Sequence, residues 1–292
     1  MNLECQQITS KDGKKVVDFL LEDEKTCISL MSCFVKAGEI KQLPPHIKGY
    51  KILFNQEIVG IFTISDGGSV LHYFKEKYTK SDNENYENLK KLIFAILSKK
   101  NVYSIIGNLY GTRFLMKVIE GKRKPKIQIN YTLMTFNRKK NQDFLKLDED
   151  FFVKKCSRSD FETLYPLQAA YDLVEVLPPG EKFNPDNCRI TLRYNLGYQH
   201  IYGIVSKSKK QIVAKAGTNA LGLNWVQIGG VFTREEFRGR GFASFLVNYI
   251  SKIMTESDKK VALFVKVENK VAQKAYLNAG FEPISSFGIF YY

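Results

Sequence analysis

The stretch from Trp225 to Met254 constrains this chain most. An extended apolar run, Trp225-Val226-Gln227-Ile228-Gly229-Gly230-Val231-Phe232, gives way to a charged loop holding Gly239 and Gly241. Phe242, Phe245, Leu246, Val247, Tyr249, Ile250 and Ile253 then recur at helical spacing. A strand that passes through a glycine loop into a helix leaves the first helical N–H groups without intrahelical partners. With the helix dipole these groups make an anion site, and glycine lets the backbone come close to a phosphate. Small Ala243 and Ser244 keep that approach open. The loop is neither a Walker loop, since no Gly-Lys-Ser/Thr follows, nor a dinucleotide Gly-x-Gly-x-x-Gly. Taken alone it is equally compatible with a tight structural turn.

The order of elements around it sets the fold class. In the first half, extended runs at Tyr50–Phe54, Ile58–Ile64 and Ser69–Phe74 precede a helix from Tyr86 to Ser98, a strand Val102–Ile106, a helix Gly111–Ile119 and a strand Ile127–Phe136. The second half repeats the order, with strands at Ile201, Gln211 and Trp225, then helix, strand and helix. The expected class is α+β, with a mixed, mostly antiparallel sheet flanked by helices and two related domains in tandem. The charged, apolar-poor segment 137–150 separates them, giving domains 1–140 and 141–292. A chain of 292 residues with 44% hydrophobic content supplies a core for each.

Composition narrows the partners. Five cysteines without metal-ligand spacing, an odd number, read as reduced thiols and imply no metal. No basic-then-apolar leader and no long apolar window is present, so a cytoplasmic protein without membrane contact is expected. The net charge of +14 falls mostly in the first half, in runs such as Lys122-Arg123-Lys124-Pro125-Lys126. Those runs read as loop and linker, not as a face gathered for nucleic acid, so no dedicated nucleic-acid site is expected.

Arg238-Gly239-Arg240-Gly241-Phe242-Ala243 resembles the Arg/Gln-x-x-Gly-x-Gly/Ala signature of the GNAT superfamily of acyl-CoA-dependent N-acyltransferases. Downstream, the segment from Asn269 through Ala272 and Tyr276 to Gly280-Phe281 resembles the family's Asn-x-x-Ala-x-x-x-Tyr-x-x-x-Gly-Phe. The resemblance covers about residues 150–292, and Ile228-Gly229-Gly230-Val231-Phe232-Thr233 is similar to a bacterial subgroup with an extra amino-terminal region. It implies the GNAT fold, acetyl-CoA as co-substrate, and transfer of an acetyl group to a small-molecule or peptide primary amine. It further implies that Val231, Phe232 and Thr233 hold the pantetheine arm, that Arg238, Gly239, Arg240, Gly241, Phe242, Ala243 and Ser244 cradle the pyrophosphate, and that Asn269 touches the cofactor near its reacting end. A catalytically silent CoA sensor or scaffold would share all of these binding residues.

Tyr276 stands seven residues after Asn269, two helical turns on, so the two share a helix face. The resemblance makes it the general acid toward the departing thiolate, a fitting role for a hydroxyl donor beside developing negative charge; otherwise it is a packing aromatic. Family members place a carboxylate base near the strand before the loop, where this chain has Gln227, Gly229 and Gly230. Glu175 is the remaining candidate base, with a water relay as the alternative. The first half lacks a Gly-x-Gly between Tyr73 and Tyr86 and is expected to be a non-catalytic, degenerate or accessory domain.

Overall fold

In the computed structural model residues 2–140, 146–178 and 180–292 are described. Residues 141–145, within the segment where the sequence places the boundary, and Pro179 of the Pro178–Gly180 break lie outside the described residues. The chain divides into two compact units, Met1–Leu133 with Ser285–Tyr292, and Met134–Ile284.

The first unit opens with β1 (Leu3–Gln7), α1 (Gly13–Leu21), α2 (Ile28–Phe34) and the small hairpin β2 (Val35–Lys36) and β3 (Glu39–Ile40). A meander follows, β4 (Ile47–Phe54), β5 (Glu57–Ser65) and β6 (Ser69–Phe74), then α3 (Tyr86–Leu97), β7 (Ser104–Asn108) and α4 (Leu109–Ile119); β8 (Ile127–Phe136) leads out. The sheet order is β1-β4-β5-β6-β7. β6 and β7 run parallel and the other neighbours antiparallel. Val59 to Ile64 of β5 are all buried, as a central strand covered on both faces requires. α3 turns Tyr86, Leu89, Ile93 and Leu97 inward at three- and four-residue spacing, against Phe62, Val70, Ile105 and Phe114.

The second unit repeats the plan: β9 (Phe151–Lys155), α5 (Phe161–Tyr171), α6 (Pro185–Tyr198), β10 (Ile201–Ser206), β11 (Gln211–Leu221), β12 (Trp225–Thr233), α7 (Phe242–Glu256), β13 (Lys260–Lys266), α8 (Lys270–Asn278) and β14 (Phe281–Tyr291). Its order is β9-β10-β11-β12-β13, with the β12–β13 pair parallel. Leu246, Val247, Ile250 and Met254 of α7 pack against Val213, Val226, Ile228 and Leu263. β14 begins in this unit, but its end, from Phe287 to Tyr291, pairs antiparallel with Asn108 to Ser104 of β7 in the first.

The repetition reaches individual side chains. A capping box precedes α1, where the Thr9 N–H donates to Asp12, and another precedes α5, where the Ser157 N–H donates to Asp160, at 2.8 and 2.9 Å. Each aspartate also receives a lysine ammonium from a strand, Lys51 and Lys154, both at 2.5 Å. Asn108 caps α4 and Asn269 caps α8, each through Oδ1 and the N–H three residues on. Two sequence expectations shift: Val102–Ile106 becomes Ser104–Asn108, so Gly107 is a strand residue, and β1 and β9 were not foreseen as strands.

Candidate functional site

The site begins where two strands part. β12 and β13 share a ladder from Trp225↔Lys260 to Ile228↔Leu263, yet β12 continues to Thr233 and β13 to Lys266. On its other side β12 is bulged: Gly217 faces Gly229 and Lys215 faces Phe232, so Gly230 and Val231 share the space opposite Ala216. Gly230 takes φ 61°, a value that a side chain would strain. Both of its backbone polar groups are held from outside the strand ladder. The Lys215 Nζ donates to the Gly230 carbonyl at 2.9 Å, and the Tyr171 hydroxyl hydrogen-bonds to the Gly230 backbone. The Lys215 ammonium also lies 4.6 Å over the Tyr171 ring.

A cavity of about 520 Å³ opens in the parting. Val231, Phe232 and Thr233 of β12 form one wall and Asn269, Ala272, Ala275 and Tyr276 another; Arg238, Gly239, Gly241, Phe242, Ala243 and Ser244 lie at the glycine-loop end. Val174 and Glu175 join the lining from a π-helical turn, Asp172–Val176, that continues α5. Among the described residues, Arg240 is the one sequence-selected position outside the lining; its guanidinium lies over the rings of Phe151 and Phe237, at 5.7 and 5.6 Å.

The loop geometry follows from its glycines. Gly239 and Gly241 take φ 79° and 77°, and Gly241 is the N-cap of α7, with no side chain to cover the first amides. The Phe245 N–H bonds back to the Gly241 carbonyl at 2.9 Å, so the N–H groups of Phe242, Ala243 and Ser244 precede the regular ladder. The Phe242 ring itself is core, 4.9 Å from that of Phe151. Arg238 holds its charge beside the loop, with Nε 3.3 Å from the Thr233 carbonyl and its guanidinium over Phe232.

On the α8 wall, Tyr276 is only 9% exposed. Burial, then the nearby Tyr171 and Glu175, push its hydroxyl well above the usual tyrosine pKa, so it stays protonated. Tyr171 is raised to about 12, chiefly by burial. Glu175 pairs with Lys266 at 3.1 Å. Asn269 spends its Oδ1 on the α8 cap, at 3.0 Å from the Ala272 N–H, leaving the Nδ2 donor for a ligand.

Residues 201–287 match the model of a family described as FR47-like protein. No curated protein matches the chain in sequence. Solved structures match along almost its whole length. A GNAT-family acetyltransferase from Colwellia psychrerythraea superposes with a TM-score of 0.58 at 15% identity, over 99% of both chains. A tandem GNAT protein from the clavulanic acid biosynthesis pathway gives 0.60 at 12%, over 99% of this chain and 98% of that one. The chain has the tandem GNAT fold, and the FR47-like match falls almost wholly within its second unit. A GCN5-related N-acetyltransferase from Sphaerobacter thermophilus gives 0.58 at 12%, over 99% and 94%. The GNAT fold accounts for the α+β class and mixed sheet read from element order. Among the described residues no helix is long and apolar enough to cross a membrane, and no group of three or more His, Cys, Asp or Glu could hold a metal.

Sequence reasoning passed over Lys215 and Tyr171 at this GNAT-fold site. The signal was present for Lys215, a lone charge inside the apolar run Ile212-Val213-Ala214-Lys215-Ala216. Nothing in the sequence set Tyr171 apart from the other tyrosines, since its role depends on where α5 meets the bulge.

Proposed function

We propose that the second unit is an acyl-CoA-dependent N-acyltransferase that moves an acetyl group from acetyl-CoA to the primary amine of a small molecule or peptide. The observation that carries this reading is the single cavity joining a phosphate-sized anion cradle to a buried hydroxyl through a bulged, unpaired strand end. The residues fit the co-substrate. Amides of Phe242, Ala243 and Ser244 receive a pyrophosphate, helped by the charge of Arg238, and Gly239 and Gly241 remove the side chains that would block it. The backbone of Val231 to Thr233 offers an extended edge that an amide-bearing arm can pair with, as an added strand would. Apolar Ala272 and Ala275 let α8 approach that arm.

Acetyl-CoA supplies an activated thioester carbonyl. The chain's part is to hold that carbonyl near Val231, to direct the amine toward it, and to move two protons. Tyr276, protonated, donates its hydroxyl hydrogen toward the sulfur as the carbon–sulfur bond breaks. Glu175 takes the amine proton directly or through one water while Lys266 balances its charge.

The test has two parts. Titration calorimetry should detect CoA binding to the intact chain, and Gly241→Val, which adds a branched side chain at φ 77°, should weaken it by about tenfold or more. With an amine panel and thiol detection, Tyr276→Phe should lower kcat by about a hundredfold while leaving CoA affinity nearly unchanged. CoA binding without thiol release from any amine would turn the reading toward a sensor. No binding at all would end it.

A further inference from the structure

Lys215 is 4% exposed, sits on β11 and does not line the cavity, yet its ammonium is committed to one carbonyl at the cavity's edge. That carbonyl belongs to the Gly230–Val231 peptide, whose other polar group is the N–H of Val231. In a planar trans peptide the two point in opposite directions. An ammonium on the Gly230 oxygen therefore leaves the Val231 N–H directed away from Lys215, on a residue that forms the cavity wall. Hydrogen bonds in a chain polarise one another, and a charged donor at one end strengthens the donor at the other, the more so out of water.

We propose that Lys215 is a positioning residue that orients and polarises the Gly230–Val231 peptide, so that the Val231 N–H becomes a strengthened donor to the oxygen of the bound thioester. The proposal rests on the acyltransferase reading above. Negative charge gathers on that oxygen when the amine adds, and a donor already fixed and already polarised stabilises it without reorganisation. Several groups hold the lysine in place. Tyr171 from α5 lies under the ammonium and bonds the Gly230 backbone, a second hold on the bulge. Burial pulls the Lys215 pKa down from 10.5 to about 8, and Asp172, at the start of the π-helical turn, opposes that fall; the carboxylate is itself held by the Gln168 amide at 2.7 Å and by the Cys188 thiol. Cys156 and Cys188 are the other titratable groups facing it. Gly230 is needed as glycine, because a Cβ there would stand 3.3 Å from the Lys215 Nζ in addition to its backbone strain.

A structural prop and a polarising donor differ in what they do to the bound carbonyl. Difference infrared spectroscopy on the intact chain, with acetyl-CoA isotope-labelled at the thioester carbonyl, reads this without needing the acceptor. In the wild type the carbonyl band should lie below its position in water. Lys215→Met should remove about half or more of that displacement while CoA affinity changes by less than about threefold. Lys215→Gln keeps a neutral donor of similar reach and gives an intermediate displacement; it also carries the test if Lys215→Met does not fold. A full displacement in either variant overturns the proposal, and so does a wild type that binds acetyl-CoA with no displacement. A wild type that binds no CoA removes the acyltransferase reading and takes this inference with it. Binding and displacement in the wild type with unchanged variants removes this inference alone.

Discussion

His72 shows how far one residue's environment can be pressed by its neighbours. Its imidazole lies against the backbone at the end of β7: a Cβ on Gly107 would be 2.4 Å from the ring, and one on Gly111 2.6 Å. Nε2 is 2.9 Å from the Thr112 hydroxyl, and burial pulls the pKa down from 6.5 to about 3. The unfolded chain takes up a proton near 6.5 and the folded one only near 3, so this histidine's share of stability is present above 6.5 and is lost as the pH falls through that window. His72→Gln should therefore flatten the acid limb of the first unit's stability, by up to about 1.4 kcal/mol per pH unit between pH 6.5 and 4, where the paired carboxylates Asp12 and Asp160 still contribute little. Denaturant titrations at several pH values measure that slope; an unchanged slope would assign the acid sensitivity elsewhere. At this scale the sequence was legible wherever a residue's role is carried by its own backbone. Gly239 and Gly241 could be read because φ near +80° is a property of the residue itself. Lys215 could be read only as a lone charge in an apolar strand and not by its partner, since Gly230 lies across a strand turn and is recruited only by a bulge.

Elements were legible in proportion to their apolar periodicity. α3, α5 and α7 were bounded to within two residues because their inward faces are continuous. β1 and β9 escaped notice because each is a five-residue edge strand whose residues are mostly polar or half-exposed, and an edge needs no second buried face. The bulge of β12 against β11, beside the place where β12 leaves β13, was equally hidden, being a register shift and not a matter of composition. Asn269 carries a prediction of its own kind, since one carboxamide both caps α8 and faces the cavity. Asn269→Ala should cost about 1 kcal/mol of stability and also weaken CoA binding. Asn269→Asp keeps the cap oxygen, so it should restore the stability but not the binding; thermal melts alongside calorimetry separate the two effects.

Across the whole molecule the two units share one plan but not one chemistry. The first unit has the parallel pair, the capped helix and the asparagine of the second. In it, however, His72 occupies the space beside Gly107 and Gly111, and the Tyr110 hydroxyl donates to the Phe74 carbonyl at 3.1 Å, at the strand end that corresponds to Thr233. An arm seeking that backbone meets the chain's own side chains instead. Calorimetry on the intact chain should therefore give one CoA per chain, and Gly241→Val should abolish most of the heat; two equivalent sites would contradict this account. The basic runs that raise the net charge serve the fold in part, for Arg123 donates to the Val102 carbonyl at 3.2 Å and Lys122 to that of Ser98 at 3.1 Å.

The return of β14 to the first unit has a temporal meaning. A ribosome adds about 5–20 residues each second, and domains formed early in a polypeptide ordinarily mature while the rest is still being made. Here the strand that pairs with β7 is synthesised only after the whole of Met134–Ile284. The nascent first unit therefore keeps that edge of β7 bare until the second unit has been made, an open sheet edge through that interval.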